Sequence, residues 1–181
     1  VLLELGKVPE ALAQFRAALD QVPDMVPTRF NVAKIALDYR DFRVAKDEFS
    51  KILEYQPDNR KAAIGLGIAM RGVGDYDAAR AHFEALAAKH SEDPLPHYWI
   101  GEIHMKNLND PHKAMEHYKQ FVKLSGGRLP ADHPVYERVK LAKQNVEMER
   151  KMKEMEKKMA REAAEQEKRM QELARRRKKL I

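Results

Sequence analysis

The chain has 181 residues, 44% hydrophobic and 34% charged, with no cysteine and a formal net charge of +6. That length suits one sizeable core with an extension, no apolar run approaches the roughly 20 residues that cross a bilayer as a helix, and the lack of cysteine excludes disulfides, thiolate metal sites and cysteine nucleophiles. Residues 140–181 carry 15 Lys and Arg against 8 Glu, leaving 19 against 20 for residues 1–139, so the basic character belongs to the C-terminal tail. A cysteine-free chain suits the cytosol and the periplasm alike, which leaves the compartment open. Val1 already stands inside a helical pattern, so a signal peptide would have been removed or would lie upstream.

A fixed period organises the first two thirds. Ala11, Ala45 and Ala79 are 34 residues apart, as are Phe15, Phe49 and Phe83, and as are Pro23 and Pro57; Ala114 and Tyr118 repeat the pair at a spacing of 35. Alanine lets two helices approach, an aromatic four residues later fills the space beside it on the same face, and proline stops the helix. In chain order, residues 1–25 form a truncated unit that keeps Gly6, Ala11, Phe15, Ala18 and Pro23 but lacks most of its first helix, which predicts further repeats upstream. Residues 26–59 form a full unit with Phe42 in the turn. Residues 60–93 form the next, with Gly67 in its first helix, Gly74, Asp75 and Tyr76 at the turn, and Ser91 where proline is usual, so that Pro94 is expected to end the helix instead. Residues 94–125 form a fourth unit whose inner turn, Asn107 to Pro111, is longer by one residue, with Asp110 as N-cap and Pro111 at the first helical position.

These residues resemble the tetratricopeptide-repeat (TPR) family, whose unit is a 34-residue helical hairpin with helices A and B. The resemblance implies an all-α fold: a helical-hairpin solenoid of about three and a half repeats over residues 1–125, closed by a capping helix. It implies a protein-binding adaptor or scaffold, without catalysis or cofactor, that holds an extended peptide or a helix of a partner in a concave groove made by the A helices. The groove positions carried over are Phe30, Lys34, Leu37 and Asp38, then Lys61, Ile64, Ile68 and Arg71, then Leu95, Tyr98, Glu102 and Met105. Phe30, Arg71 and Tyr98 are the expected anchors, because aromatics and arginine dominate interface energetics; the alternative is that such residues pack on the chain's own C-terminal helix. A chaperone-binding subfamily clamps C-terminal carboxylates with Lys, Asn and Arg. Asn31 and Lys61 stand at two such positions, but Gly65 occupies the arginine's place and the first unit's positions are missing, so that reading is set aside. Low Ser and Thr content, degenerate repeats and the Asp-Pro turn are similar to bacterial TPR proteins of cell-envelope, motility or secretion assemblies.

Residues 126–133, with two glycines and Pro130, read as a linker loop, and Pro134 as the start of a helix. No glycine or proline follows, so about 48 residues would form a helix of roughly 70 Å. Val135, Val139, Ala142 and Val146 form a stripe that makes residues 134–146 a capping helix over the last repeat. Residues 147–181 project as a charged helix with a weak methionine-rich heptad, held as a single helix by i,i+4 pairs (Glu147 with Lys151, Glu149 with Lys153, Glu154 with Lys158, Glu165 with Arg169, Glu172 with Arg176) or paired in a coiled coil. A second functional reading makes the chain a homo-oligomer that self-associates through residues 147–174. A third tethers it to nucleic acid or an anionic membrane through Arg175, Arg176, Arg177, Lys178 and Lys179. Against the third, cations are favoured at any helix C-terminus and no aromatics are interleaved for base stacking.

Three patterns look like chemistry and carry none. Gly65, Leu66 and Gly67 lack a preceding strand and a third glycine, and fit helix packing better than a dinucleotide loop. His97 and His104 share a helix face near Glu102, but a solvated repeat explains them without a metal. Ser50, Ser91, Ser125 and Thr28 stand in no nucleophile motif.

Overall fold

The computed structural model describes residues 8–178, all of whose regular elements are helices: α1 (Val8–Gln21), α2 (Val26–Asp38), α3 (Phe42–Tyr55), α4 (Arg60–Val73), α5 (Tyr76–Lys89), α6 (Leu95–Lys106), α7 (Pro111–Ser125) and α8 (Pro134–Lys178). Helices α2 and α3, α4 and α5, and α6 and α7 are the three full hairpins, and α1 is the second helix of the truncated first unit. Of that unit, Gly6 lies outside the described residues.

The core is a row of three clusters with one plan. The first joins Ala33 and Ala36 of α2 with Ala45, Phe49 and Ile52 of α3 and Ala62, Leu66 and Ala69 of α4. The second joins Ile64 and Ile68 of α4 with Ala79 and Phe83 of α5 and Ile100 and Ile103 of α6. The third joins Tyr98 and Met105 of α6 with Ala114, Tyr118 and Phe121 of α7 and Val135 and Ala142 of α8. Each cluster is therefore a hairpin plus the first helix of the next hairpin, and α8 takes that last place for the fourth unit. It caps the solenoid by standing where a fifth A helix would.

The period has a steric origin. Ala45, Ala79 and Ala114 are each fully buried, and Phe49, Phe83 and Tyr118 lie beneath them at 2% exposure or less. A Cβ added at Gly67 would strike the Phe83 ring and one at Gly65 the Phe49 ring, while one at Gly101 would come within 2.7 Å of Tyr118. The Gly65 and Gly67 pair is thus a close helix approach, as expected.

The turn between the two helices of each hairpin repeats as well. Arg40, Gly74 and Asn109 occupy the same place in successive units, and all three are left-handed, with φ of 62°, 101° and 50°. Only glycine adopts that conformation without a Cβ penalty. Asp41 and Asp110 then cap the helices that follow, accepting from Val44 N and Lys113 N. One expectation is corrected here: α5 ends at Lys89, well before Pro94, which instead stands at the N-cap of α6. Pro94 and Pro96 suit a helix start, where the missing N–H costs nothing.

Two outcomes follow from this packing. Gly67→Ala should destabilise by about 1–3 kcal/mol, the usual cost of overfilling a packed site, read from urea denaturation. Arg40→Gly should stabilise by about 1 kcal/mol through relief of the left-handed strain, visible as a higher urea midpoint with an unchanged slope.

Candidate functional site

The A helices α2, α4 and α6 touch one another in sequence, and so form a continuous wall. The groove positions fall on this wall in repeat register: Phe30, Ile64 and Tyr98 are equivalent, as are Lys34, Ile68 and Glu102, and Leu37, Arg71 and Met105. Their environments differ along the wall. Lys34, Asp38 and Lys61 are exposed. Phe30 and Leu37 are half-buried against the first cluster, with Phe30 edge-on to Phe49 at 5.7 Å between ring centres. Ile64 and Ile68 are half-buried against the second. The Arg71 guanidinium donates from Nε to Asn107 Oδ1 at 2.8 Å and so ties α4 to the turn of the next unit.

In the fourth unit the chain itself occupies the positions carried over. Leu95, Tyr98 and Met105 pack on α7 and α8, Tyr98 lying 5.4 Å from Phe121 and 6.1 Å from Tyr118 between ring centres. Glu102, expected in the groove, is only 3% exposed and belongs to the interior. Its carboxylate accepts from the Tyr118 hydroxyl at 2.8 Å and pairs with Lys106 Nζ at 2.6 Å and with Arg138 Nε, from α8, at 3.0 Å. The reason is that α8 covers this end of the wall as a further repeat would.

Burial alone would raise the Glu102 carboxyl, but the hydrogen bonds from Lys106 and Tyr118 and the charges of Lys106 and Arg138 outweigh it and hold it below the usual carboxylate range. Burial, with the Glu102 hydrogen bond and charge, pushes the Tyr118 hydroxyl far up, so it stays a donor.

A second polar cluster lies between α6 and α7. His97 Nδ1 and His117 Nδ1 are 3.1 Å apart, and His104 stacks on His117 at 5.9 Å. Burial, with the neighbouring His97 and His104, pushes His117 down to about 4. One ring must therefore donate and the other accept. This is a hydrogen-bonded pair of neutral rings, and among the described residues no three metal-capable side chains converge.

The tail is a single continuous helix, and its residues 150–176 are exposed. Of the five expected i,i+4 pairs, Glu172 with Arg176 closes at 2.7 Å. Arg150 and Lys158 reach forward to Glu154 and Glu162, and Glu149 lies 3.5 Å from His112 of α7. Such exposed contacts contribute only about 0.3–0.5 kcal/mol each, too little to select among partners. Arg175 and Arg176 are exposed on the last turns, the side chains of Arg177 and Lys178 are not described, and Lys179 lies outside the described residues. No helix among the described residues is long and apolar enough to cross a membrane.

One feature gave no sequence signal. An apolar cleft of about 500 Å³ opens between α1, α2 and the start of α3, lined by Leu12, Val32, Ile35, Tyr39 and Val44 among others. Its residues come from adjacent units and share no motif.

A stack of helical hairpins, each contributing its first helix to one wall, defines the class as a helical-repeat solenoid. The tetratricopeptide-repeat profile matches residues 36–98 and a second profile of the same repeat matches 69–128. Together these span half of the chain, which belongs to the tetratricopeptide-repeat family. Among solved structures, a crystal structure of MamA shares 20% identity over 88% of this chain and 95% of that one, with a TM-score of 0.66. A MamA fragment from Desulfovibrio magneticus RS-1 shares 18% identity over 68% of this chain and 70% of that one, with a TM-score of 0.61. A chain of the APC/C hetero-tetramer Cut9–Hcn1 shares 18% identity over 77% of this chain but 27% of that one, with a TM-score of 0.62. At these identities the likeness is one of fold. No curated protein matches this chain significantly.

The Glu102 network sets a pH dependence. A carboxyl whose pKa is lower folded than unfolded contributes stability that is present above its unfolded value and is lost as pH falls through its folded value. Glu102→Gln should therefore lower stability by roughly 1–3 kcal/mol at neutral pH. Its melting temperature should begin to approach that of the native chain below about pH 4, where unfolded carboxylates protonate, and meet it as pH falls through the lower folded value.

Proposed function

We propose that the chain is a protein-interaction scaffold that holds an extended segment or helix of a partner protein against the wall formed by α2 and α4. The observation that carries this reading is the continuity of the A helices. On the first two of them, the exposed charges Lys34, Asp38 and Lys61 stand among the half-buried apolar side chains Phe30, Leu37, Ile64 and Ile68. Apolar surface framed by charges of both signs suits a segment whose apolar residues alternate with polar ones. Arg71, held by Asn107, adds a fixed donor at the edge of that surface. The α6 end contributes shape only, because Tyr98, Glu102 and Met105 serve the cap. Extended surfaces of this kind are what helical solenoids use to bind, and a similar fold stands in the hetero-tetramer Cut9–Hcn1. A bacterial envelope, motility or secretion assembly is the proposed setting, on the likeness of the repeats to bacterial TPR proteins and of the fold to MamA.

The test uses three baits in lysate of the source organism: the native chain, a variant with Lys34→Glu, Asp38→Lys and Lys61→Glu, and a chain ending at Val146. The three substitutions lie on exposed side chains and should leave thermal unfolding unchanged. A ligand of the wall should be recovered with the native and shortened chains and fall about tenfold with the charge variant, a loss of roughly 1.4 kcal/mol. Partners that ignore the charge variant and vanish on shortening would move the function to α8.

A further inference from the structure

The two ends of α8 present their apolar residues to opposite sides. Its first turns seal the solenoid with Val135 and Ala142, both fully buried, and with Val139. Yet Leu141, five methionines from Met148 to Met170, and Leu173 are 41–65% exposed. At about 100° per residue these seven lie within an arc of about 60°, roughly 140° round the helix from the sealing face. The exposed stripe is thus no continuation of the seal. It begins behind it, at Leu141, and continues past Glu149, the last residue paired with the solenoid, through His112.

The order of residues in this stripe indicates what covers it. Met148, Met152, Met155, Met159, Ala163, Gln166 and Met170 are separated by 4, 3, 4, 4, 3 and 4 residues, a sequence of steps that reads the same in both directions about Met159. We infer that a second copy of this chain pairs with α8 in antiparallel orientation, with Met159 on the two-fold axis.

In that arrangement Met148 of one copy faces Met170 of the other, Met152 faces Gln166, Met155 faces Ala163, and Met159 faces itself. Every layer from Met148 to Met170 then contains a methionine, whose flexible side chain fills the space left by the smaller or polar residue opposite. Parallel pairing in register would instead set Ala163 against Ala163 and Gln166 against Gln166, leaving a thin layer and a polar one side by side. Charge points the same way. Parallel pairing would stack Arg175, Arg176, Arg177 and Lys178 of both copies, whereas antiparallel pairing holds the two basic ends about 50 Å apart, well beyond a Debye length of about 10 Å. Along the flanks the attractive pairs, such as Lys158 with Glu162 of the second copy, are balanced by repulsive ones, such as Lys151 with Arg169 and Glu149 with Glu167, so the order of the layers and the separation of the basic ends carry the orientation. A helix with residues 150–176 wholly exposed gains most from such pairing, since long helices in water depend on packing of an apolar face. The pairing leaves the wall of α2 and α4 free, so it stands whether or not that wall binds a ligand.

The chain has no cysteine, which makes disulfide trapping clean. Full-length chains carrying Met148→Cys or Met170→Cys would be oxidised separately and as an equimolar mixture, beside sedimentation equilibrium of the native chain and of a Met152→Glu, Met159→Glu variant. The antiparallel pair requires a native dimer, a monomeric double-Glu variant that still folds as a cooperative helical solenoid but melts at or below the native dimer, and a disulfide that forms in the mixture between the two different variants. A native chain that stays monomeric at every concentration overturns the proposal. So does a Met148→Cys chain that cross-links to itself, the signature of parallel pairing. A monomer that sediments with phosphatidylserine vesicles, and loses that property with the double-Glu change, overturns it in favour of a lipid surface.

Discussion

The contact of a small residue on each A helix with the aromatic of its own B helix is the constraint on which the rest of the molecule depends. Ala33 stands over Phe49, Gly67 over Phe83 and Gly101 over Tyr118, and each of these residues is buried. The small residue lets the hairpin close, and the alanines at 45, 79 and 114 lie in the cluster that the hairpin shares with the next A helix. A hairpin of this kind is incomplete alone, because its inner face needs the following helix to leave water. The three clusters, each made from two helices of one unit and one of the next, are that requirement repeated.

The chemistry of the fourth unit follows from one change within this scheme. Tyr118 stands where Phe49 and Phe83 stand in the earlier units, and its hydroxyl enters the core with a donor that must be satisfied. Glu102 accepts it, and a buried carboxylate in turn needs cations, which Lys106 supplies from its own helix and Arg138 from α8. The aromatic that closes the hairpin therefore also helps to fix the capping helix. A purely apolar unit at this place would leave the first turns of α8 held by Val135, Val139 and Ala142, with no buried polar contact to set their rotation. That rotation has a consequence far from the cap. A straight helix transmits its angular setting along its length, so orienting Val135 and Ala142 inward also determines the direction in which the methionine face points.

What could be read in the sequence follows the same division. The hairpins and the cap were legible because a single residue type at each of a few positions dictates them, and because the positions recur. The turn was partly legible: Gly74 and, more weakly, Asn109 are residue types that favour the left-handed conformation, whereas Arg40 adopts it without such a signal. The groove positions were legible as helix positions but not as surface. A 34-residue period places Glu102 level with Lys34 and Ile68, and it cannot register that Arg138, from a helix outside the period, reaches back to cover it. Leu95, Tyr98 and Met105 are half-buried and pack on the cluster that α8 completes, which was the alternative reading of such positions. The apolar cleft beside α1 gave no signal at all, since its lining is assembled from three helices of two units.

The methionine stripe is a different case, because the information was present in the residues and a continuous reading along the helix blurred it. Val146 and Met148 are two residues apart, so they lie about 160° from one another on a helix. The weak methionine-rich heptad beyond Glu147 is therefore not the sealing stripe continued but a second face. Recognising it separates two roles in one element: the face toward α7 ends the solenoid, and the opposite face starts a new surface while the solenoid is already closed. A capping helix needs only its first few turns for its task. The exposed apolar residues that follow, on a helix otherwise rich in Lys and Glu, give the remaining turns a task that the repeats cannot supply.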